Sequence, residues 1–336
     1  EISIVCETMG GNEPAYTFSK RALEAGKSVC TSNKELVANH GAELLRLARE
    51  NRCNYFFEAS VGGGIPIIRP INDCLTAERI VEVSGILNGT TNYILTKMEQ
   101  EGMLFEEALG QAQALGYAER NPEADVEGYD ACRKIAILTS LVAGKTVDFH
   151  KIHTEGITGI DPTDFAYAKK LDATIKLLAV SRETEDGYQI SVAPYLLKKE
   201  NALAGVNDVF NAVAVCGNTL GDTMFYGRGA GKLPTASAVV ADVVECARHL
   251  QKTVGCLWEE GEAKVADFDN QEGRFFVRVL KKARADVEKV FGAVVPVVLD
   301  SALEEFAFVT ESMQEAEFEK CREQIFGFVK KIRIKD

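Results

Sequence analysis

The feature that most constrains this chain is the rhythm of its first sixty residues, where short segments apolar on both faces alternate with longer helical ones. Ile2–Cys6 (ISIVC), Lys27–Thr31 (KSVCT) and Cys53–Ala59 (CNYFFEA) read as strands, with Pro14–Ala25 and Lys34–Glu50 as helices between them. A strand apolar on both faces must be covered on both, and a helix that returns the chain from one strand to the next makes the strands parallel. A parallel α/β sheet is therefore expected. Ligands in such sheets bind beyond the carboxyl ends of the strands, which points to Thr8–Gly11, Thr31–Lys34 and Glu58–Ile65. The chain opens without Met on the apolar segment Glu1–Thr8 (EISIVCET), and it is read as a fragment or trimmed chain that begins in mid-strand.

Beyond Ile65 the pattern changes to α+β. Val81–Leu87 reads as a strand, Asn88–Asn92 (NGTTN) as a turn opening the helix Tyr93–Glu101, and Glu106–Leu115 as another helix. Helices are expected over Tyr129–Ala143 and Thr163–Glu183, antiparallel strands over Tyr188–Leu197 and Val209–Val215, and a long helix over Ala236–Leu250 after Pro234. After a linker at Asp267–Gly273 come strand Arg274–Leu280, helix Lys281–Phe291, strands Val294–Leu299 and Glu305–Thr310, helix Glu315–Phe328 and strand Lys330–Ile334. That βαββαβ order is the ferredoxin-like arrangement.

The charge balance, 38 basic against 50 acidic residues for a net of -12 without a basic block, argues against nucleic acid or an anionic membrane as a partner. No apolar run approaches the roughly 18 residues of a transmembrane helix. The nine cysteines are scattered singly, without CxxC or metal spacing, which points to a reducing cytoplasm and away from structural zinc.

Four stretches could carry chemistry. Gly116–Lys134 (GYAERNPEADVEGYDACRK) gathers carboxylates in a turn-rich segment just ahead of a buried helix, on which Asp130 and Lys134 stand four apart and share a face. A solvated acidic loop leading into an ordinary helix-surface ion pair explains the spacing equally well. Gly227–Gly231 (GRGAG) before Lys232 fails the phosphate-loop pattern, since Tyr226 and Leu233 occupy positions that need Gly and Ser or Thr, and a tight structural turn accounts for it. Its amides could still face an anion ahead of the following helix. Gly62, Gly63 and Gly64 beside Glu58 offer carbonyls and a carboxylate to a small cation, or else make a sharp turn. Lys34 begins a helix, where the helix dipole disfavours a cation, and that misplacement favours a functional role.

These segments together resemble the homoserine dehydrogenase family. The resemblance runs through ETMGGNEPA, TSNKELVANHGAEL, FEASVGGGIPII, GILNGTTNYIL, GYAERNPEADVEGYDACRKIAIL and YGRGAGKLPTASAVVAD, six motifs in family order covering nearly the whole chain. It implies NAD(P)-dependent interconversion of L-aspartate 4-semialdehyde and L-homoserine, on the route to threonine, methionine and isoleucine. Lys134 then resembles the catalytic acid/base and Lys34 the second lysine near the carbonyl and nicotinamide. Glu119, Asp125 and Asp130 resemble the substrate-binding acids. Thr8, Gly116 and Gly231, with Lys34, match cofactor-side positions. Glu58 with the carbonyls of Val61, Gly63 and Ile65 matches a monovalent cation site, usually sodium. By this reading Asp130 and Lys134 both face the substrate across a domain cleft and need not be a structural salt bridge.

The implied fold is an incomplete Rossmann-type domain over residues 1–65, with helix 235–252 packing back on it. A substrate and dimerisation domain would cover 66–234 and a small ACT-like domain 271–336. The glycine-rich turn that usually opens the Rossmann unit is absent from this chain. Lys281–Ala285 (KKARA) replaces the Pro-Gly turn usual in the ACT module, so threonine binding there stands beside a purely structural or dimerising role. A homodimer or homotetramer is implied. A dehydrogenase of another amino-acid semialdehyde and a non-catalytic ACT-type amino-acid-binding protein are the alternatives.

Overall fold

The computed structural model describes residues 2–299 and 304–335. Three short parallel strands, β1 (Ile4–Glu7), β2 (Ser28–Thr31) and β3 (Tyr55–Phe56), form one sheet in that order, joined by α1 (Ala15–Glu24) and α2 (Lys34–Glu50). Cys6 pairs with Cys30 and Val29 with Tyr55 in register, so the carboxyl ends of all three strands point one way. Helix α2 packs because its apolar residues recur at helical spacing, with Leu36, Val37 and Leu44 wholly buried. Its start is fixed by Asn33, whose side chain accepts from the Leu36 amide at 3.1 Å. Trp258, the chain's one tryptophan, is also fully buried and lies so close over Gly41 of α2 that a Cβ there would meet its ring.

A second, larger sheet follows. Its members are β4 (Ile80–Ile86) and, after α3 (Gly89–Glu101), α4 (Phe105–Ala114), α5 (Glu123–Val126), α6 (Tyr129–Ala143), β5 (Lys145–Thr146), β6 (His153–Thr154) and α7 (Pro162–Lys170), the long strands β7 (Ala173–Thr184) and β8 (Gly187–Lys198). The hairpin β9 (Phe210–Gly217) and β10 (Gly221–Arg228) then leads into α8 (Lys232–Arg248), which crosses back to pack on β1 and β2. The C-terminal elements are β11 (Glu259–Glu262), β12 (Glu272–Gly273), β13 (Phe275–Leu280), α9 (Arg284–Phe291), β14 (Glu305–Val309), β15 (Met313–Gln314), α10 (Glu315–Arg322) and β16 (Phe328–Lys335). The large sheet runs β10-β9-β4-β7-β8-β16-β13-β14, with β6 paired to β8 off that path. The C-terminal segment therefore joins the central sheet through the parallel β8–β16 pair. Buried ions fasten the same junction. Arg278 of β13 reaches Asp161 at 2.9 Å and Asp164 at 2.5 Å, both at the head of α7, and Glu305 of β14 at 2.9 Å.

Four expectations need correction, the simplest being the helix read over Glu315–Phe328, which ends at Arg322 so that Phe328 opens β16. The helix read over Thr163–Glu183 ends at Lys170, and Ala173–Thr184 is a central strand buried on both faces over most of its length. A continuous apolar run has no period to separate strand from helix, and here Asp172, at φ 52°, makes the break. The strand expected at Val294–Leu299 is a single bridge, Val297 to Ala307. Pro296 has no N–H to extend that ladder, and Val295 lies 84% exposed. The edge strand β10, which carries the chain to the second glycine cluster, has no counterpart among the sequence expectations, and α8 begins four residues ahead of Ala236.

Candidate active site

Four elements converge on a cavity of about 580 Å³ at the carboxyl edge of the small sheet. Lys34 arrives on the first turn of α2, placed there by a locked junction. Thr31 Oγ1 donates to Glu7 Oε2 at 2.5 Å, and Asn33 Nδ2 donates to the Gly11 carbonyl at 2.6 Å. Asp130 and Lys134 come from α6. Gly128 at φ 83° turns the chain into this helix, in a conformation that costs other residues energy, so Asp130 falls in the first turn, where the dipole favours an anion. Asp125 is on the short α5, and Gly116 and Glu119 lie in the exposed loop after α4.

Asp130 is the hub. Its Oδ1 meets Lys34 Nζ at 2.8 Å and its Oδ2 meets Lys134 Nζ at 2.6 Å. Lys134 also donates to the Leu87 carbonyl at 2.8 Å, and Asn88 Nδ2 donates to Asp130 Oδ2 at 2.9 Å and to Asp125 Oδ1 at 2.7 Å. Burial, the largest influence on Asp130, opposes its charge, yet the Lys134 and Lys34 ammoniums outweigh it and hold the carboxyl well below the usual range. Lys34 balances the same way: burial works against its charge, the Asp130 carboxylate prevails, and its pKa is raised. Asp125 goes up, first through burial and then through the neighbouring Asp130 charge, with the Asn88 hydrogen bond and both lysines opposing. The Asp130–Lys134 pair is thus a direct ion pair, as the i,i+4 spacing allowed, and at the same time part of the cavity wall. Two cations facing one buried anion leave it fully committed unless a ligand shares it.

The glycine loops make the opposite wall. Gly63 lines the cavity at φ 55°, and a Cβ there would collide with the carbonyl of Gly229. The two backbones touch because neither carries a side chain. Gly231 precedes α8, a helix of 17 residues whose first-turn residue Thr235 also lines the cavity, so amide dipoles are available to an anion. Thr8 lies just past β1, exposed, and outside the cavity lining.

Glu58 departs from the sequence reading. Its carboxylate accepts from the amides of Ile67 at 2.6 Å, Ile68 at 2.8 Å and Arg69 at 2.9 Å, and it pairs with the Arg69 guanidinium at 3.3 Å. It is therefore not free for a cation, and among the described residues no group of three or more His, Cys, Asp or Glu is placed to hold a metal. Val61, Gly63 and Ile65 are buried residues, and the loop's backbone hydrogen bond from the Ile65 amide goes to the Gly62 carbonyl rather than to theirs. The Glu58 amide donates to Asp242 of α8 at 2.9 Å, and burial pushes the Asp242 carboxyl up to about 7. Of the anticipated residues, all but Thr8 line this cavity or lie on the Glu58–Ile65 loop that borders it, with Gly116 on the exposed rim.

Sequence reasoning missed Asn88 and the Leu87 carbonyl. The N-G-T-T run ahead of a helix marks Asn88 as a cap, but nothing in its spacing reveals that it touches two acids 37 and 42 residues away.

Comparison with known proteins places the whole chain. Residues 66–244 match the family model described as homoserine dehydrogenase, and residues 1–58 match the one described as homoserine dehydrogenase, NAD binding domain. The chain is 38% identical over 336 residues to the homoserine dehydrogenase of Bacillus subtilis (strain 168), covering 95% of this chain and 77% of that protein. The crystal structure of a homoserine dehydrogenase from Thiobacillus denitrificans superposes with a TM-score of 0.92 at 34% identity, covering 100% of this chain and 83% of that one. A hyperthermophilic archaeal homoserine dehydrogenase in complex with NADPH superposes at 0.65 with 33% identity, over 73% and 72% of the two chains. A catalytic-domain match over more than half the chain, a nucleotide-domain match ahead of it and full-length structural likeness place this chain in the homoserine dehydrogenase family.

Proposed function

We propose that this chain interconverts L-aspartate 4-semialdehyde and L-homoserine with a nicotinamide cofactor, and that Lys134 and Lys34 serve the reacting oxygen while Glu119, Asp125 and Asp130 receive the substrate ammonium. The observation that carries this reading is the pairing of both lysines with the single buried carboxylate of Asp130 inside one cavity. An aldehyde being reduced develops negative charge on oxygen, and an ammonium alongside stabilises that charge and gives up a proton. Lys134 fills that role in reduction and takes the proton back in oxidation. Lys34, held charged by Asp130, supplies electrostatic support. Carboxylates around an α-ammonium fix the substrate's orientation.

The chain's own residues fit a dinucleotide. The parallel strand ends, the Gly63–Gly229 contact that admits close backbone approach and the N-terminus of α8 at Gly231 all face one cavity. The nucleotide-domain match and the NADPH-bound archaeal relative support the same assignment. When bound, a nicotinamide exchanges hydride with the substrate carbon. Thr8, Lys34, Gly116 and Gly231 are the proposed contacts on that side.

A sodium ion at the Glu58–Ile65 loop belongs to the proposal, with main-chain oxygens including those of Val61, Gly63 and Ile65 as ligands, because the Glu58 carboxylate is spent on three amides. So do the division into segments 1–65, 66–234 and 271–336, assembly as a homodimer or homotetramer, and threonine binding at the C-terminal segment. The setting proposed is the cytoplasm, consistent with nine free thiols. No helix among the described residues is long and apolar enough to cross a membrane.

The test is NAD(P)H absorbance with L-homoserine and each nicotinamide cofactor. Turnover is expected, with rejection of the deaminated analogue 4-hydroxybutanoate. No absorbance change with either cofactor overturns the proposal, and faster turnover of another amino-acid aldehyde reassigns the substrate.

A further inference from the structure

Asn88 is only 6% exposed, at the head of α3, and its amide is used in full. The oxygen caps the helix, accepting from the Thr91 amide at 2.9 Å. The nitrogen donates to Asp125 Oδ1 at 2.7 Å and to Asp130 Oδ2 at 2.9 Å. Among the described residues it is the only side chain hydrogen-bonded to both acids.

We propose that Asn88 is a positioning residue for this reaction: its amide clamps Asp125 to Asp130 so that the two carboxylates present one receptor to the substrate's α-ammonium. The inference rests on the function proposed above and adds a source of its specificity. Asp125 stands on a helix of only four residues, which fixes a side chain poorly. Beside the Asp130 charge it would swing away or take up a proton unless something joined the two. A cation in the place of Asn88 would join them but would also neutralise them and repel an incoming ammonium. An amide offers two N–H donors without adding a third cation to the two lysines already on Asp130, so Asp125 keeps its attraction for the ligand. The charged groups facing Asp125 are Asp130, Lys134 and Lys34, with Arg133 next to Lys34, and the Asn88 bond favours the ionised form of Asp125 among them.

The helix cap and the clamp are separable. Asn88→Ser keeps an acceptor for the Thr91 amide and loses both N–H donors. The helix cap is kept, so the thermal midpoint of this variant should fall by no more than a few degrees and the chain should stay folded for the titrations. Two calorimetric titrations then read the clamp, one with L-homoserine and one with 4-hydroxybutanoate. The preference for the aminated ligand should fall about tenfold, as expected for loss of a charge-assisted contact network. Carbon-13 NMR of the Asp125 carboxyl should show its titration midpoint moving to higher pH. An unchanged preference, or an Asp125 midpoint that does not move, overturns the proposal. Because neither readout needs turnover, they decide the role of Asn88 separately from the NAD(P)H assay, which decides the reaction.

Discussion

Asp130→Asn removes one negative charge and almost no volume, and the partners of the lost carboxylate set the size of the effect. The parent carboxylate is 5% exposed and bonds Lys34 at 2.8 Å and Lys134 at 2.6 Å. Breaking a buried pair by deleting one partner costs about 3–5 kcal/mol, mostly from the charge left behind. Here the two orphans differ. The Lys134 side chain is 11% exposed but keeps the Leu87 carbonyl, whereas the Lys34 side chain is 40% exposed and can turn to water. Discounting for that screening gives a loss of about 2–3 kcal/mol at pH 7. With an m-value of about 3 kcal/mol/M for a chain of this size, the urea midpoint should fall by roughly 1 M. The fluorescence of buried Trp258 follows the unfolding directly. The pH dependence has a fixed sign. Since the folded pKa of Asp130 is depressed, its contribution is complete above the unfolded value and disappears as the pH falls from about 4 toward the folded one. The variant should therefore lose less stability than the parent between about pH 4 and pH 2. Equal urea midpoints at pH 7, together with parallel acid profiles, would show that Asp130 is not the buried hub described.

Lys176 is wholly buried and burial lowers its pKa to about 8, so the folded state binds its proton less tightly than the unfolded chain; parent stability should rise from about pH 8 to 10.5, and Lys176→Met should abolish that rise in urea titrations. Arg278→Ala strands Glu305 and leaves the fully buried Asp164 with Lys330 alone, and should cost about 3 kcal/mol by urea unfolding; a loss under about 1 kcal/mol would refute the network's importance. Gly63→Ala forces a Cβ against the Gly229 carbonyl and should raise the KM for the nicotinamide cofactor at least tenfold by displacing the 227–231 loop, with homoserine affinity less affected.

The parallel unit was legible because strands buried on both faces and separated by amphipathic helices have few other ways to fold; α2 runs over Lys34–Glu50 as its periodicity and Asn33 cap indicate. The helix read in place of a central strand has a plain cause. Ala173–Thr184 is buried on both faces, so no period marks it as a strand, and only its place between β4 and β8 decides. Within the site, the i,i+4 spacing revealed that Asp130 and Lys134 share a face. It could not reveal Lys34, which comes from another domain-scale segment 96 positions earlier, nor Asn88, whose second and third bonds exist only after the chain is folded. Glu58 was legible as a residue with a special task, but its task is to hold amides rather than to offer a carboxylate to a cation.

In the proposed reaction Lys134 moves the proton while Asp130 and Lys34 keep it in place. The direct measurement is kcat for L-homoserine oxidation by Lys134→Ala, taken alongside homoserine binding by calorimetry. The kcat should fall on the order of a hundredfold or more, with binding retained through Glu119 and Asp125. A variant that turns over at the parent rate would contradict it.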